Sequence, residues 1–437
     1  MSNLTYPGTW KGITIENITS FVGRGVGPKY LEFETGVVAI NQKCIRNGKV
    51  NISFGRHHDN SASVRDSAKL STNDVCINST GDGTIGRIGL WDKQKSSATF
   101  FVDSHVTILR PLDNESDSKY LCELLSSEWM QNDIARYCFT GSTNQIELSR
   151  KELLKLKLYL PEVKQQNKIA KVLSTVDNLI DQTQNIIEKY TVVKQGMMAD
   201  LFSRGIDLSG TADTNKNYGQ LRPSFDEAPE VYQETELGWI PKDWDVEKLE
   251  NLTTKIIDGT HHTPTYTDSG ITFLRVTDVQ TKEINLEKVK FVSEKEHEQL
   301  IKRCNPEVGD ILYSKNGTIG IPKIVDWDWD FSVFVSLCLI KPAHEKINNQ
   351  YLGLILTSDV VWTQIRKRVK QGTVTNLHLE EIREFQIPLP NSEEQTEIVI
   401  RSKALQNRID NEKESLDKYR LIKKGLMQDL LTGKVSV

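Results

Sequence analysis

The chain lacks the features of a membrane protein, an exported protein or a cysteine-based metal site. Its longest apolar stretch, FSVFVSLCLI at 331–340, is about half the length of a bilayer span and is interrupted by serines. Residues 1–10, MSNLTYPGTW, have neither the basic nor the apolar region of a secretion signal. The six cysteines show no close paired spacing: Cys44, Cys76, Cys122, Cys138, Cys304 and Cys338. We therefore expect a cytoplasmic chain with free thiols and no membrane span.

A surplus of positive charge is also missing. The 437 residues include 55 Lys and Arg against 59 Asp and Glu, which gives a formal net charge of −4. Proteins that bind nucleic acid usually show a basic surplus, so that function has to be argued here from local groups of residues.

Recognisable catalytic and nucleotide-binding patterns are absent as well. The sequence has no H-E-x-x-H, no nucleophile elbow, no Asp…Glu-x-Lys nuclease pattern and no Asn/Asp-Pro-Pro-aromatic tetrapeptide of an amino-methyltransferase. GRGVG at 23–27 is followed by Pro28 and does not fit G-x-G-x-x-G. The pairs His57-His58 and His261-His262 do not align with each other, which favours solvent-facing loop histidines over a shared metal site. We expect a non-catalytic chain.

The sequence does contain an internal repeat that spans most of its length. Gly-Thr-Ile-Gly occurs at 83–86 and again at 317–320, and Trp10 matches Trp244 at the same offset of 234 residues. The offset falls to 231 for TILRP (107–111) and CLIKP (338–342). From the Leu-Pro turns onward it stays at 229 over long stretches, as for Gln166 and Gln395. Such a constant offset indicates a tandem duplication.

Each copy contains short β-branched and aromatic runs, then a helical segment, then a long helix. The predicted strands are 36–41, 74–80, 88–92, 104–111, 271–276, 310–314 and 333–342, and the shorter helical segments are 118–138 and 348–369. The fold class is α+β: two mixed α/β domains joined by two long antiparallel coiled-coil helices. We place globular domains at 1–160 and 240–389, framework helices at 161–203 and 390–437, and a surface connector at 204–239.

The long helices show heptad spacing of apolar residues. The first predicted seam contains Ile169, Val172, Val176, Leu179, Ile186, Tyr190, Val193 and Met197, with Thr183 as an interruption. The second contains Ile398, Leu405, Ile409, Leu416, Tyr419, Ile422, Leu426 and Leu430. We expect the two helices to pair antiparallel over ~60 Å and so to fix the distance between the globular domains. The alternative is that each helix packs on its own globular domain.

The globular stretches diverge most between the copies, and their polar loops suit contacts with base edges. Asn, Gln and Arg can make bidentate contacts with adenine and guanine, while Lys and Thr reach phosphates. The candidate DNA-binding residues are Arg24, Lys29, Tyr30, Asn41, Gln42, Lys43, Arg46, Arg56, His57, His261, His262, Thr263, Thr265, Tyr266, Arg275 and Asn316. The repeated Gly-Thr-Ile-Gly is predicted to be a turn that needs positive φ, not a phosphate loop.

Together these stretches resemble the specificity subunit of type I restriction-modification systems. The resemblance covers nearly the whole chain and is carried by ELGWIPKDWDVEKLENL (236–252), DGTHHTPTYTDSGITFLRVTDV (258–279), GPKY…INQKCIRNG (27–48), the two Leu-Pro-to-Gln turns and KKGLMQDLLTGKV (423–435). It implies two target-recognition domains, each reading one half of a bipartite, asymmetric DNA site.

The resemblance also implies partners. Two adenine-N6 methyltransferase subunits would dock on the helices, and restriction/translocase subunits would complete the complex. S-adenosylmethionine, ATP and magnesium would then belong to those partner subunits, with no cofactor and no metal on this chain. Steep salt dependence and half-sites about one helical turn apart, ~34 Å, are expected. Two alternatives stay open: an enzyme with a divergent catalytic centre, and a coiled-coil scaffold that does not bind DNA.

Overall fold

The fold consists of two compact units. The computed structural model describes residues 5–92, 96–142, 145–368 and 376–437. Unit 1 comprises residues 1–185 and 413–437, and unit 2 comprises residues 186–412. Within the described ranges, no helix is both long and apolar enough to cross a membrane.

Unit 1 contains the first globular domain, the start of the first long helix and the end of the second. Its helices are α1 (Ile15–Ile18), α2 (Ser118–Ser126), α3 (Glu128–Cys138), α4 (Arg150–Lys155) and the first part of α5 (Val163–Ser203). Its strands are β1 (Lys11–Thr14), β2 (Thr19–Arg24), β3 (Val37–Ile40), β4 (Ile45–Arg46), β5 (Gly48–Val50), β6 (Arg56–His57), β7 (Val75–Asn78), β8 (Ile88–Leu90), β9 (Thr99–Val102), β10 (Val106–Pro111), β11 (Phe139–Thr140), β12 (Glu147–Leu148) and β13 (Lys157–Leu160).

Unit 2 contains the second globular domain. Its helices are α6 (Glu294–Leu300), α7 (Asn349–Ile355), α8 (Asp359–Arg368), α9 (Leu379–Arg383) and the first part of α10 (Ser392–Leu431). Its strands are β14 (Ile206–Asp207), β15 (Gln220–Leu221), β16 (Tyr232–Thr235), β17 (Gly238–Pro241), β18 (Asp245–Lys248), β19 (Thr253–Asp258), β20 (Tyr266–Thr267), β21 (Ile271–Leu274), β22 (Lys290–Val292), β23 (Ile311–Ser314), β24 (Pro322–Ile324), β25 (Phe331–Val333), β26 (Leu337–Pro342) and β27 (Gln386–Leu389).

The two units repeat one sheet topology. Unit 1 has a sheet in the order β2-β10-β7-β8-β5-β4, and unit 2 has a sheet in the order β19-β26-β23-β24. In a second, smaller sheet, β3 pairs parallel with β9, as β21 pairs parallel with β25. Each unit therefore buries its own apolar core, with Phe101 and Tyr120 fully buried in unit 1 and Phe273 and Tyr313 fully buried in unit 2.

A buried glutamine fixes the start of each long helix. The side-chain oxygen of Gln166 accepts from the Asp117 N–H at 3.0 Å, and its amide nitrogen donates to the Pro161 carbonyl at 3.0 Å. Gln395 makes the same pair of bonds, with the Asn348 N–H at 2.8 Å and the Pro390 carbonyl at 2.9 Å. The glutamine identified by its constant offset is thus a shared structural clamp.

The long helices run antiparallel within each unit. In unit 1, Lys423 of α10 donates to Asp177 of α5 at 2.7 Å. In unit 2, Lys194 of α5 donates to Gln406 of α10 at 2.5 Å. Later residues of α5 therefore meet earlier residues of α10, and the two lysines are equivalent at the offset of 229.

The heptad assignment was partly wrong. Leu179, Ile186 and Val193 of α5 were predicted seam residues, but they are 38%, 38% and 47% exposed, whereas Thr183, the predicted interruption, is 5% exposed. The predicted seam residue Ile422 of α10 is likewise 40% exposed. Ile169, Val176 and Thr183 lie seven residues apart and are 0%, 8% and 5% exposed, so one of the two predicted heptad series is buried. The other series is exposed at three apolar side chains of α5.

The repeated Gly-Thr-Ile-Gly forms the predicted turn in both units. Gly83, Gly86, Gly317 and Gly320 have φ values of +67°, +82°, +75° and +82°. The N–H of the second glycine returns to the end of the preceding strand, at 2.9 Å from the Asn78 or Ser314 carbonyl. The predicted framework role is confirmed.

Three segments differ from the sequence prediction. The run 333–342 is two strands, β25 and β26, because a turn closed by the Leu337 N–H and the Phe334 carbonyl separates them. The segment 118–138 is two helices, since Ser127 is extended between α2 and α3. The segment 348–369 is likewise α7 and α8, and its last residue lies outside the described residues.

The connector is more than a surface loop. Arg222 is 7% exposed and donates to Glu394, at 2.5 Å from Nη1 to Oε1, while the Trp244 indole N–H donates to the same carboxylate at 3.0 Å. Ile206 is fully buried. A salt bridge this deeply buried requires such compensation, and it ties the connector to unit 2.

Candidate nucleic-acid interface

One group of predicted residues surrounds the turn after β3. Asn41 is 8% exposed, and its amide is used inside the protein: Oδ1 accepts from the Lys43 N–H at 2.8 Å, and Nδ2 donates to the Phe54 carbonyl at 2.9 Å. Lys43 is exposed beside it. Asn41 therefore shapes the loop that presents Lys43.

Gln42 links this loop to the first Gly-Thr-Ile-Gly turn. Its side chain lies against Gly81, where an added Cβ would come within 2.6 Å of Oε1. That oxygen is buried without a hydrogen-bond partner among the described residues. An unpaired amide oxygen is costly to bury, so this side chain has an unused capacity to accept a hydrogen bond.

Two predicted arginines lie on aromatic rings. The Arg46 guanidinium is 4.7 Å from the centroid of the Phe54 ring, and its Nε donates to the Lys43 carbonyl at 3.1 Å. The Arg56 guanidinium is 3.8 Å from the Tyr30 ring centroid and 3.4 Å from Glu32. Stacking of this kind restricts a guanidinium before any ligand arrives and leaves its other N–H groups free to donate.

The remaining predicted residues of unit 1 have structural contacts of their own. Arg24 forms an ion pair with Glu147 at 3.0 Å. Lys29 is exposed, and its backbone N–H donates to the imidazole of His58 at 2.9 Å. His58 is 2% exposed, so the prediction that both histidines of this pair face solvent was wrong for His58, which packs edge-on against Phe101. His57 is half-buried.

The Tyr30 hydroxyl interacts with the Asp103 carboxylate. Burial, followed by the nearby Asp103 carboxylate, raises the pKa of the Tyr30 hydroxyl, and burial also raises the pKa of Asp103. The ring therefore stays neutral under Arg56.

In unit 2, the stretch after β19 contains five predicted residues, all of them exposed: His261, His262, Thr263, Thr265 and Tyr266. The His261 and His262 side chains are 65% and 70% exposed, as predicted. Thr263 is exposed, and the Thr265 N–H donates to the Glu296 carboxylate at 3.2 Å. Tyr266, 39% exposed, has its ring centroid 5.7 Å from the Lys290 ammonium.

Two further predicted residues of unit 2 lie elsewhere. Arg275 already forms two bonds with Asp278, at 2.9 and 3.0 Å, and the Asp278 hydrogen bond raises the pKa of Arg275. Asn316 precedes the second Gly-Thr-Ile-Gly turn, pairs through its backbone with Asn376, and has a buried side-chain oxygen without a hydrogen-bond partner in the described ranges.

The sequence prediction missed a charged cluster around Asp258. This carboxylate, only 4% exposed, lies 2.8 Å from Arg303, 3.1 Å from His261 and 3.4 Å from Lys315. Burial acts to raise the pKa of Asp258, but hydrogen bonds from Arg303 and His261 outweigh it and leave that pKa below its ordinary value. One clue was present: Asp258 aligns with Arg24 at the offset of 234.

Metal-ligating groups do not assemble in the described part of the chain, where no set of three or more His, Cys, Asp or Glu side chains could hold an ion. All six cysteines are free and buried, as predicted for the thiols. Burial raises the pKa of Cys44 to about 11, which suppresses its thiolate. What the loops offer instead is fixed hydrogen-bond donors and acceptors.

Comparison with known proteins places these features in a family. The model of the type I restriction modification DNA specificity domain matches residues 30–191 and again 241–418. The chain is 26% identical over 447 aligned residues to the protein named as the MjaX type I restriction enzyme specificity subunit of Methanocaldococcus jannaschii, covering 99% of this chain and 95% of that one. It is also 26% identical to the EcoBI specificity subunit of Escherichia coli, covering 61% of this chain and 55% of that protein.

Solved structures agree at the level of the fold. The S subunit of a type I restriction-modification system from M. genitalium superposes with a TM-score of 0.56 at 15% identity, covering 98% of this chain and 97% of that one. The two family matches coincide with the two copies of the internal repeat. The chain therefore belongs to the family of type I restriction-modification DNA specificity subunits, which recognise DNA and do not themselves catalyse the reaction.

Proposed function

We propose that this chain reads a bipartite, asymmetric DNA sequence, one half with each unit, and positions two adenine-N6 methyltransferase subunits and restriction subunits on it. The observation that carries the proposal is the contrast between the two copies. Their framework contacts are the same, as with Gln166 and Gln395, whereas charged side chains at equivalent loop positions differ, as with Arg24 and Asp258. Two readers on one framework suit a site with two different halves.

A pair of equivalent apolar surfaces supports the expectation of two methyltransferase subunits. Val192 and Val193 on α5 are 66% and 47% exposed, and Leu421 and Ile422 on α10 are 72% and 40% exposed. These pairs are equivalent at the offset of 229. Exposed large apolar side chains on a surface helix are typical of protein contacts, and their duplication fits two copies of one partner.

The cofactors of the reaction are assigned to the partners. S-adenosylmethionine would be carried by the methyltransferase subunits, and ATP and magnesium by the restriction subunits. This chain would contribute DNA recognition and subunit placement only.

The test is to purify the chain with its methyltransferase subunits and sequence the methylated adenines on genomic DNA. We expect a single motif with two specified halves and an unspecified spacer. The chain alone, given S-adenosylmethionine, magnesium and DNA, should transfer no methyl groups. Activity of the chain alone would favour a divergent enzyme, and the absence of sequence-selective DNA retention by the complex would favour a scaffold.

A further inference from the structure

The cluster around Asp258 is built from three separate parts of unit 2. Asp258 ends β19, His261 lies in the loop that follows, Arg303 comes after α6, and Lys315 precedes the second Gly-Thr-Ile-Gly turn. Arg303 Nη2 and His261 Nε2 share Asp258 Oδ1, at 2.8 and 3.1 Å, while the Lys315 ammonium lies 3.4 Å from Oδ2. A single carboxylate thus orients three nitrogen groups.

The charges of this cluster do not cancel. The Lys315 side chain is only 7% exposed and, with Asp258, forms a buried pair of opposite charges. Arg303, whose side chain is 54% exposed, then adds a positive charge that no second carboxylate pairs with in the described ranges. The exposed Lys255 ammonium donates to the Arg303 carbonyl at 2.8 Å and adds another positive group at the same place.

The geometry leaves Arg303 able to bind a further anion. A guanidinium has five N–H donors, and the Asp258 bond uses one of those of Arg303. The planar fork of arginine matches the oxygens of a phosphate, and orientation by a buried carboxylate lowers the entropy lost on binding. His261 is 65% exposed beside it, with its Nε2 held 3.1 Å from Asp258 Oδ1.

The cluster is not part of the shared framework. At the position equivalent to Asp258, unit 1 has Arg24, which forms an ion pair with Glu147 at 3.0 Å. The sign of the charge is reversed and the partner comes from a different segment. Contacts that the fold itself requires recur in both units, as the glutamine clamps do. This difference places the cluster with the recognition loops.

We propose that Arg303 and His261, oriented by Asp258 and Lys315, form a phosphate-binding site that contacts the DNA backbone beside the half-site read by unit 2. The inference rests on the proposed function, because it takes duplex DNA as the ligand. It assigns Arg303 to affinity and not to base choice: a phosphate contact strengthens binding to every sequence and makes binding more dependent on salt.

The test compares Arg303→Gln with Lys302→Gln in the full chain assembled with its methyltransferase subunits. Lys302 is the exposed neighbour whose ammonium bonds Gln299 at 2.8 Å, so both variants lose one positive charge but only one changes the cluster. The affinity of each complex is measured over a series of salt concentrations for two DNA duplexes. One contains the motif identified by methylome sequencing, and in the other the half-site read by unit 2 is scrambled.

Arg303→Gln should weaken binding of both duplexes by about 5–10-fold at ~0.1 M salt, and should reduce the slope of log affinity against log salt by about 0.9. Lys302→Gln should leave both values near wild type, and Arg303→Lys should recover part of the slope. Thermal melting of the free chain checks that the variants are folded.

Two results would overturn the site. One is an Arg303→Gln complex with the slope and affinity of the Lys302→Gln complex; the other is a loss confined to the motif-bearing duplex, which would make Arg303 a base reader. If the wild-type complex itself does not prefer the motif, the proposed function fails instead, and the two failures are distinguishable.

Discussion

At the scale of single residues, the polar loops contain two kinds of side chain that the sequence does not separate. Asn41 and Lys43 lie in the same INQKC stretch and are both common in DNA interfaces. The structure gives the Asn41 amide two internal bonds and leaves Lys43 exposed. Sequence alone cannot make this distinction, because the bond to Phe54 depends on the course of the chain 13 residues later.

We expect Asn41→Ala to destabilise unit 1 by about 1–2 kcal/mol, because the Phe54 carbonyl and the Lys43 N–H lose their partner. Lys43→Ala, two residues away and exposed, should change the unfolding free energy by less than about 0.5 kcal/mol. Urea denaturation of the full chain measures both. If Asn41→Ala lowered the unfolding free energy as little as Lys43→Ala is expected to, the two Asn41 hydrogen bonds would not contribute to stability.

Recognition should be lost one half-site at a time. Replacing Gln42 and Lys43 together by alanine should remove the specified bases from one half of the motif, because Gln42 holds an unpaired acceptor and Lys43 is exposed. Replacing Thr263 and Tyr266 together should do the same for the other half. Methylome sequencing reads the outcome, with each double variant as the control for the other. An unchanged motif in both would show that the candidate residues are misassigned.

At the scale of elements, contacts that occur in both copies of the repeat could be predicted from the sequence. Contacts that occur in only one copy could not. The Gly-Thr-Ile-Gly turns and the glutamine clamps followed from equal residues at equal offsets, and the structure confirms them. Arg303 follows α6 in unit 2, lies 45 residues from Asp258 and had no match to mark it. The seam of α5 was misassigned at Leu179, Ile186 and Val193, because spacing identifies two heptad series but does not show which of them the folded protein buries.

The second Gly-Thr-Ile-Gly turn allows a comparison of two glycines with similar backbone. Gly317→Ala should cost about 1–2 kcal/mol, since its φ is +75° and the space around it is open. Gly320→Ala should cost more by about 1–3 kcal/mol, because the added Cβ would also lie 2.5 Å from the Trp362 ring. Calorimetric melting of the two variants measures the difference. Equal melting temperatures would contradict the packing role of Gly320.

The equivalent apolar pairs on the long helices predict two similar docking contacts. Leu421→Ser and Val192→Ser should each weaken one of two methyltransferase contacts by roughly tenfold, since each removes an exposed apolar side chain that the partner would bury. Ile400→Ser is the matched control: Ile400 is also exposed, at 54%, but its equivalent at the offset of 229 is Lys171. Analytical ultracentrifugation across a dilution series reports the stoichiometry. Loss in the Ile400 variant alone would put the docking surface elsewhere.

At the scale of the whole molecule, the duplication gives the chain two long helices of nearly the same length. α5 has 41 residues and α10 has 40, and each unit contains part of both helices. Within each unit the helices are joined by an equivalent lysine, Lys423 or Lys194. Helices of nearly equal length that pair antiparallel suit a ruler between half-sites, which we propose as their role.

Removing one heptad from each helix tests the ruler. The deletions belong between Asp177 and Lys194 in α5 and between Gln406 and Lys423 in α10, so that both lysine contacts can persist. Seven residues rise about 10 Å, and a base pair rises about 3.4 Å, so the unspecified spacer should shorten by up to about three base pairs while both halves of the motif stay the same. Methylome sequencing gives the spacer length directly.

The control is a variant with one heptad removed from α5 alone, which should disrupt the pairing of the two helices and lower the melting temperature. An unchanged spacer in the double deletion would show that something other than helix length sets it.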